Sequence, residues 1–497
     1  MTASVLYWKT MVVRSTVTLL ALAWVSSARA DAPQVGTAPL TVTGDPGRRV
    51  TVEVPPVAHA AIANTLVLER CRGGCVVTKG GNDAANTIST IPSAAQSTIE
   101  EFVNSAGMTG TLADAAWNEV VQCVKEVYSP FNVTVTDVRP ASGPYHLAIL
   151  AGRPQNIGQG ADILGIAPLA GDCSPQNNVI SFSFANQHSL VDPSRALTLC
   201  WTVSQESAHA FGLDHQYMFS DGRSACSDPM TYRVDCGGQR FFRNQSATCG
   251  ENAARPCRCG ATQNSHQKLR TVFGDGTPIT GNPTVALTLP TAAMGYTGQA
   301  GGTAGSKRGV KKVELRVNGA AWAEVPGLPF GMNGQSPMGT YSMPFPATVP
   351  DGVIDVQLRA YDDLGAYTDS NITTVTKGEP CTSASSCASG QKCEEGKCFW
   401  DPAVGELGDE CPYAQYCKSG LCRGTEDLQI CTEPCDPLSD NTCGGGLICT
   451  ASGEGVGICF VEDGSCCSVG PGPYGPWVHT GVAGAILAFV LRRRRRR

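Results

Sequence analysis

The period of the apolar positions changes several times along this chain, and each change marks a new element. In DAAWNEVVQCVKEVYSPF the apolar residues Trp117, Val120, Val121, Val124, Val127 and Tyr128 recur at helical spacing. That predicts an amphipathic helix, capped by Asp114 and stopped by Pro130. NVTVTDV then alternates as a strand does, and YHLAILAG and NNVISFSFA supply two more predicted strands. Asp192-Pro193 opens a second helix, with Asp as cap and Pro in the first turn. On it Ala196, Leu199, Cys200, Val203 and Ala210 line one side, and Trp201, Gln205, Ala208 and His209 another. A helix apolar on more than one side is expected to be buried.

Beyond residue 280 the helical period disappears. TVALTLP, VKKVELRVNG, GVIDVQLRAYDD and SNITTVTK read as strands separated by Gly, Pro and Asn turns, which predicts an immunoglobulin-like β-sandwich over 281–378. Its residues are accounted for by strand alternation and carry no evident chemistry.

Cysteine spacing sharpens the domain boundaries. Of 24 cysteines, ten lie between Cys71 and Cys259, none between 260 and 380, twelve between Cys381 and Cys459, and two at 466–467. Each block is even, as internal disulfide pairing requires. CTSASSCASGQKC and CPYAQYCKSGLC form a weak repeat, and 379–465 contains neither a histidine nor a C-x2-C pair. A disulfide module is expected there rather than a zinc ribbon. Residues 31–110 form an N-terminal or propeptide-like region in which Cys71 and Cys75 either pair locally or offer a thiol that could plug a metal site.

The two ends read as export signals. Lys9 and Arg14 precede an apolar run closing on Ala28-Arg29-Ala30, which predicts a signal peptide over 1–30. At 466–497 two cysteines, a Gly/Pro spacer, a short apolar run from Trp477 to Leu491 and six arginines suit a C-terminal membrane anchor or a segment read by sorting machinery. That arrangement resembles the myxobacterial MYXO-CTERM sorting segment, which implies display at the cell surface. Of 37 Lys and Arg, nine lie in the leader or tail, leaving 28 against 43 acidic residues, so nucleic acid is not an expected partner.

The candidate chemistry lies in QESAHAFGLDH, 205–215. Residues 205 and 209 lie one helical turn apart on one face, so both can reach one metal, with Glu206 beside them as general-base candidate. Gly212 allows a left-handed exit from the helix, after which His215 can swing back. The stretch resembles the metzincin zinc signature H-E-x-x-H-x-x-G-x-x-H, with Gln205 in place of the first His as its sole departure. Met230 and Tyr232 in CSDPMTY match the family's Met-turn and the tyrosine two residues past it. The resemblance covers about 111–275 and implies an α/β (α+β) metzincin-like catalytic domain. It implies zinc held by His209, His215, Gln205 and Tyr232, with Glu206 catalytic and Met230 and Gly212 structural beneath. His188 and His266 are further candidate ligands. Two functions are expected from this: a surface zinc metallopeptidase acting on a peptide or protein substrate, weakened by Gln205, or an inactive pseudo-peptidase that binds peptide or protein.

Overall fold

The computed structural model describes residues 47–55, 62–289, 295–327, 339–424, 428–435, 443–444, 446–451 and 457–461. The predicted signal peptide and C-terminal sorting segment lie outside them. Among the described residues no helix is long and apolar enough to cross a membrane. The chain is multidomain and mostly β, with few helices and a disulfide-rich C-terminal part. It divides into two compact units, one holding 1–382 with 394–397 and the other 383–393 with 398–497.

The first unit opens with β1 (Arg48–Val54) and β2 (Thr65–Glu69). A small three-stranded sheet follows, β3 (Cys75–Lys79), β4 (Ile88–Ser89) and β5 (Gln96–Ile99). Then come α1 (Asp114–Tyr128), β6 (Thr134–Thr136), β7 (His146–Leu150), β8 (Ile163–Ala170), β9 (Ile180–Ser183) and α2 (Arg195–Ala210). The main sheet has the order β1-β8-β9-β7-β2-β6. Its pairings are parallel except that β8 runs antiparallel to β9. Because β1 and β2 belong to this sheet, the fold reaches back beyond the boundary expected at residue 111.

Both sheet faces are covered, so every residue of the central strands β7 and β9 is buried, including His146, Ser181 and Ser183. Leu66, Leu68, Ala148 and Leu150 pack with Trp117, Val120 and Val124 of α1 and Leu199 and Val203 of α2. The alternate residues Val67, Leu147 and Ile149 pack with Val77 and Ile99 of the small sheet. The Cys123–Cys200 disulfide ties α1 to α2.

Both helix caps differ from expectation. Ala113 occupies the α1 cap, while Asp114 sits in the first turn and pairs with Arg70 and Arg72. Ser194 occupies the α2 cap, and Asp192 acts from two residues upstream, accepting hydrogen bonds from the Ser194 and Thr198 hydroxyls. Neither carboxylate caps a first-turn N–H; both lie close to a helix N-terminus, where negative charge is favourable.

Short strands β10 (Gln216–Phe219) and β11 (Ala247–Cys249) and helix α3 (Ser265–Phe273) complete this part. The sandwich follows as β12 (Thr284–Leu289), β13 (Gln299–Gly305), β14 (Lys312–Val317), β15 (Ala320–Pro326), β16 (Gly339–Pro344), β17 (Gly352–Tyr361), β18 (Tyr367–Asp369) and β19 (Thr373–Lys377). One sheet has the order β12-β13-β16; the other runs β15-β14-β17-β18, with β19 also on β17. Val313, Leu315, Tyr341, Met343, Ile354, Val356 and Leu358 share the core between them. Along β17 burial alternates residue by residue, as its sequence pattern requires.

The twelve-cysteine block, all but Cys381 in the second unit, extends the weak repeat. Cys411–Cys422 and Cys417–Cys431 cross in the order one-three, two-four, as do Cys435–Cys449 and Cys443–Cys459. Cys387–Cys398 is the two-four bond of the preceding set. With four cysteines per short segment, disulfides replace most of the apolar core that such segments are too small to build.

Candidate metal centre

Helix α2 brings Gln205, Glu206 and His209 to one end, all fully buried. The chain leaves that end through Gly212, whose φ of +89° lies in the left-handed region. A Cβ there would come within 2.1 Å of the Cys173 carbonyl oxygen. Only glycine satisfies both demands. Gly212→Ala is therefore expected to destabilise the protein by at least about 1–2 kcal/mol, read as a lower urea midpoint. An unchanged midpoint would show that this bend is not held as described.

The bend returns His215 to His209. Their Nε2 atoms lie 3.0 Å apart, with the rings nearly perpendicular. Each ring is anchored through its other nitrogen. His209 Nδ1 donates to the Leu213 carbonyl at 2.7 Å, and His215 Nδ1 to the Glu251 carboxylate at 2.9 Å. These bonds fix the Nδ1–H tautomers by their acceptors and leave two Nε2 lone pairs facing each other. Burial first, and the facing His215 second, push His209 down to about 3, so it is neutral. Two facing lone pairs repel unless a cation lies between them.

Glu251 is held in turn by Arg255, which also bridges to Asp214, and the His215 and Arg255 bonds keep its carboxyl well below the usual range. Asp214, His215 and Glu251 place ligand atoms within 4.8 Å of one another. Three cysteine triples in 381–459 are equally close, but all of those cysteines are disulfide-bonded, and a disulfide sulfur is not a thiolate ligand.

Met230 and Tyr232 lie next to the His215 segment. Met230 is fully buried in the core with Phe211 and Leu213. Its carbonyl accepts the backbone N–H of Gln216, the residue after His215, so the methionine loop is stitched directly to the histidine strand. The Tyr232 ring lies 4.6 Å from that of His215. Its hydroxyl is engaged by the backbone of Arg49, accepting from the N–H at 2.8 Å and donating to the carbonyl. Burial, reinforced by Glu206, raises the Tyr232 phenol, which disfavours a phenolate ligand in this state.

Glu206 is fully buried, and neither carboxylate oxygen has a hydrogen-bond partner. Burial pushes it well above the usual carboxylate range, with Arg49 opposing. It abuts Gly165 of β8, where a Cβ would meet its Oε1 at 2.5 Å. Gln205 is also fully buried with both amide atoms unpartnered. Native interiors rarely leave such groups unsatisfied, and clusters of them mark places where a ligand or water completes the set. Two imidazoles, a buried amide oxygen and a carboxylate suit zinc in donor type.

His188 and His266 lie elsewhere. His188 faces Thr202 at 3.5 Å, and His266 packs at a tilt against Phe131. Glu251, Gly165 and Arg49 were not foreseen from the sequence.

No family model matches the chain, and no curated protein matches it. Among solved structures it is similar to fibronectin(III)-like modules of CbhA from Clostridium thermocellum, at 21% identity over 19% of this chain and 96% of that one, with a TM-score of 0.14. It is also similar to wild-type OgpA from Akkermansia muciniphila, at 13% identity over 56% of this chain and 91% of that one, TM-score 0.18. A catalytically inactive OgpA in complex with an O-glycopeptide substrate matches at 9% identity over 68% of this chain and 97% of that one, TM-score 0.16.

Proposed function

We propose that the chain is an exported zinc peptidase of the metzincin type, displayed at the cell surface and hydrolysing peptide bonds with Glu206 as general base. The observation that carries this reading is the pair of anchored imidazoles whose Nε2 atoms face at 3.0 Å, with Glu206, whose carboxylate oxygens have no hydrogen-bond partner, on the same helix as His209. His209 and His215 would hold the zinc, with the Gln205 amide oxygen as a weaker third donor and Tyr232 adjoining. Zinc bound there would supply a Lewis acid and acidify water.

Burial raises the proton affinity of Glu206, with Arg49 opposing, which makes it a stronger acceptor for a proton than a solvent-exposed carboxylate. Glu206 takes a proton from the attacking water on a carboxylate oxygen and delivers it to the departing amine nitrogen. Glu251 and the Leu213 carbonyl keep the two imidazoles from rotating or changing tautomer. Substrate would lie extended as an added strand on the sheet edge. Export and display rest on the leader and tail motifs, and ten described disulfides in an even-cysteine chain accord with an oxidising compartment.

Metal analysis tests the centre independently of turnover. The purified chain is expected to carry about one zinc, and the His209→Ala, His215→Ala double variant none. A zinc-free wild type that also fails to take up added zinc would remove the proposal. The Gln205 amide favours a second reading, in which the cleft binds peptide or protein without cutting it. Bound zinc and peptide binding without hydrolysis would select that reading.

A further inference from the structure

Strand β1 is an anomaly in the main sheet. It pairs with β8 along its whole length, Arg48 opposite Ile163 through Val54 opposite Ala170, and so covers what would otherwise be the sheet's outer edge. Val50 and Val52 pack against the core but, like Thr51, are only half-buried, and Arg48 and Glu53 are exposed. Apart from Val54, the one fully buried side chain is the charged Arg49. An apolar residue would serve stability better at such a position, because burying a guanidinium is costly.

The place where Arg49 is buried explains the choice. It pairs with Gly165, the residue against which Glu206 lies. Its backbone N–H and carbonyl both engage the Tyr232 hydroxyl. The guanidinium donates to the Thr202 hydroxyl and lies 3.6 Å from the Trp201 ring centroid. Arg240 stacks on the same indole at 3.3 Å, so two like charges crowd one ring with Glu206 as a nearby counter-charge. Parallel pairing is also slightly weaker per residue than antiparallel pairing. The segment thus occupies the centre's threshold, engages its tyrosine and faces its carboxylate, with unfavourable terms that limit how tightly it is held.

We propose that β1 is an internal occupant of the peptide-binding edge, anchored by Arg49, which keeps the centre latent until the strand is displaced. This rests on the peptidase reading for its enzymatic consequence, but the occupancy itself concerns only where an extended peptide binds. Cys71 and Cys75 are joined to each other, so the block comes from a backbone strand and not from a thiol on the metal. With β1 gone, β8 presents a free row of N–H and C=O groups to an incoming strand.

The test uses the full chain with residues 56–61 replaced by the six-residue thrombin sequence LVPRGS. Before cutting, the variant is expected to show the wild-type urea midpoint, which is measured first. Thrombin then hydrolyses one peptide bond, adding one water, and frees β1 from the rest of the chain. The probe is the fluorescein-labelled peptide RRVTVEV. The cut protein, separated from its N-terminal fragment, is expected to bind the probe at least tenfold more tightly than the uncut protein and to gain casein hydrolysis by a similar factor. The unlabelled peptide should compete with the probe, and the version with its second arginine changed to alanine should compete at least tenfold less well. Arg49→Ala in the uncut chain provides a second route, since it should raise probe binding without any cleavage. Probe binding that appears without hydrolysis upholds the occupancy and overturns the peptidase reading. Equal probe binding before and after cutting, or an N-terminal fragment that cannot be separated from the native protein, overturns the proposal.

Discussion

Glu206→Gln is expected to lower peptide hydrolysis by the β1-released protein about a thousandfold, the middle of the range assigned to general acid–base catalysis. That corresponds to about 4 kcal/mol of transition-state stabilisation. Glutamine keeps the shape of the side chain but cannot take the proton, and Glu206 is fully buried with no other group bonded to its oxygens. Zinc content should stay at one per chain, because the two anchored imidazoles are untouched. Turnover from progress curves and zinc by elemental analysis on the same preparation decide the matter. Turnover within tenfold of wild type would exclude Glu206 as the base.

The centre was legible where local geometry alone dictates it. A helical turn places 205 and 209 on one face, and Gly212 is the residue that lets the chain reverse towards His215. Met230 and Tyr232 came from the resemblance; the Met230 carbonyl is bonded to the residue after His215, and the Tyr232 ring lies against that of His215. Glu251 could not be read in advance. It comes 36 residues after His215, brought back by the β10–β11 pairing and by Arg255, and nothing in its local sequence distinguishes it from a surface glutamate.

The fold divides along the same line. Helices α1 and α2 and strand β17 were readable because each is long enough for its period to show. Strand β8 was missed since ILGIAPLA is apolar throughout and contains both glycine and proline, so no alternation marks it. Strand β1 does alternate, but its burial contradicts its polarity: Arg49 is inside while Val50 and Val52 are only half-buried. Such local conflicts between sequence and environment concentrate at functional sites. This one falls beside Glu206 and Tyr232, which is why it bears on function and not on stability alone.

Gln205→His is expected to tighten zinc binding by roughly 30-fold to 1,000-fold. The estimate takes about 10–16 kcal/mol for a four-ligand structural zinc site and assigns a good ligand a quarter of it, roughly 2–4 kcal/mol. An amide oxygen is a neutral, harder donor that supplies only part of that share. The position is suitable for the change: residue 205 stands one turn before His209, is fully buried, and carries an amide with no hydrogen bond to lose. Competition against a chelator of known affinity gives the zinc dissociation constant for both proteins. A matching rise in hydrolysis after β1 release would mean that the amide limits how firmly the metal is placed. If hydrolysis is instead absent from wild type and appears only in the histidine variant, the natural chain is a binder, and Gln205 is the residue that made it one. Affinity that stays the same or weakens would show that residue 205 does not reach the metal, leaving two imidazoles that need a different third partner.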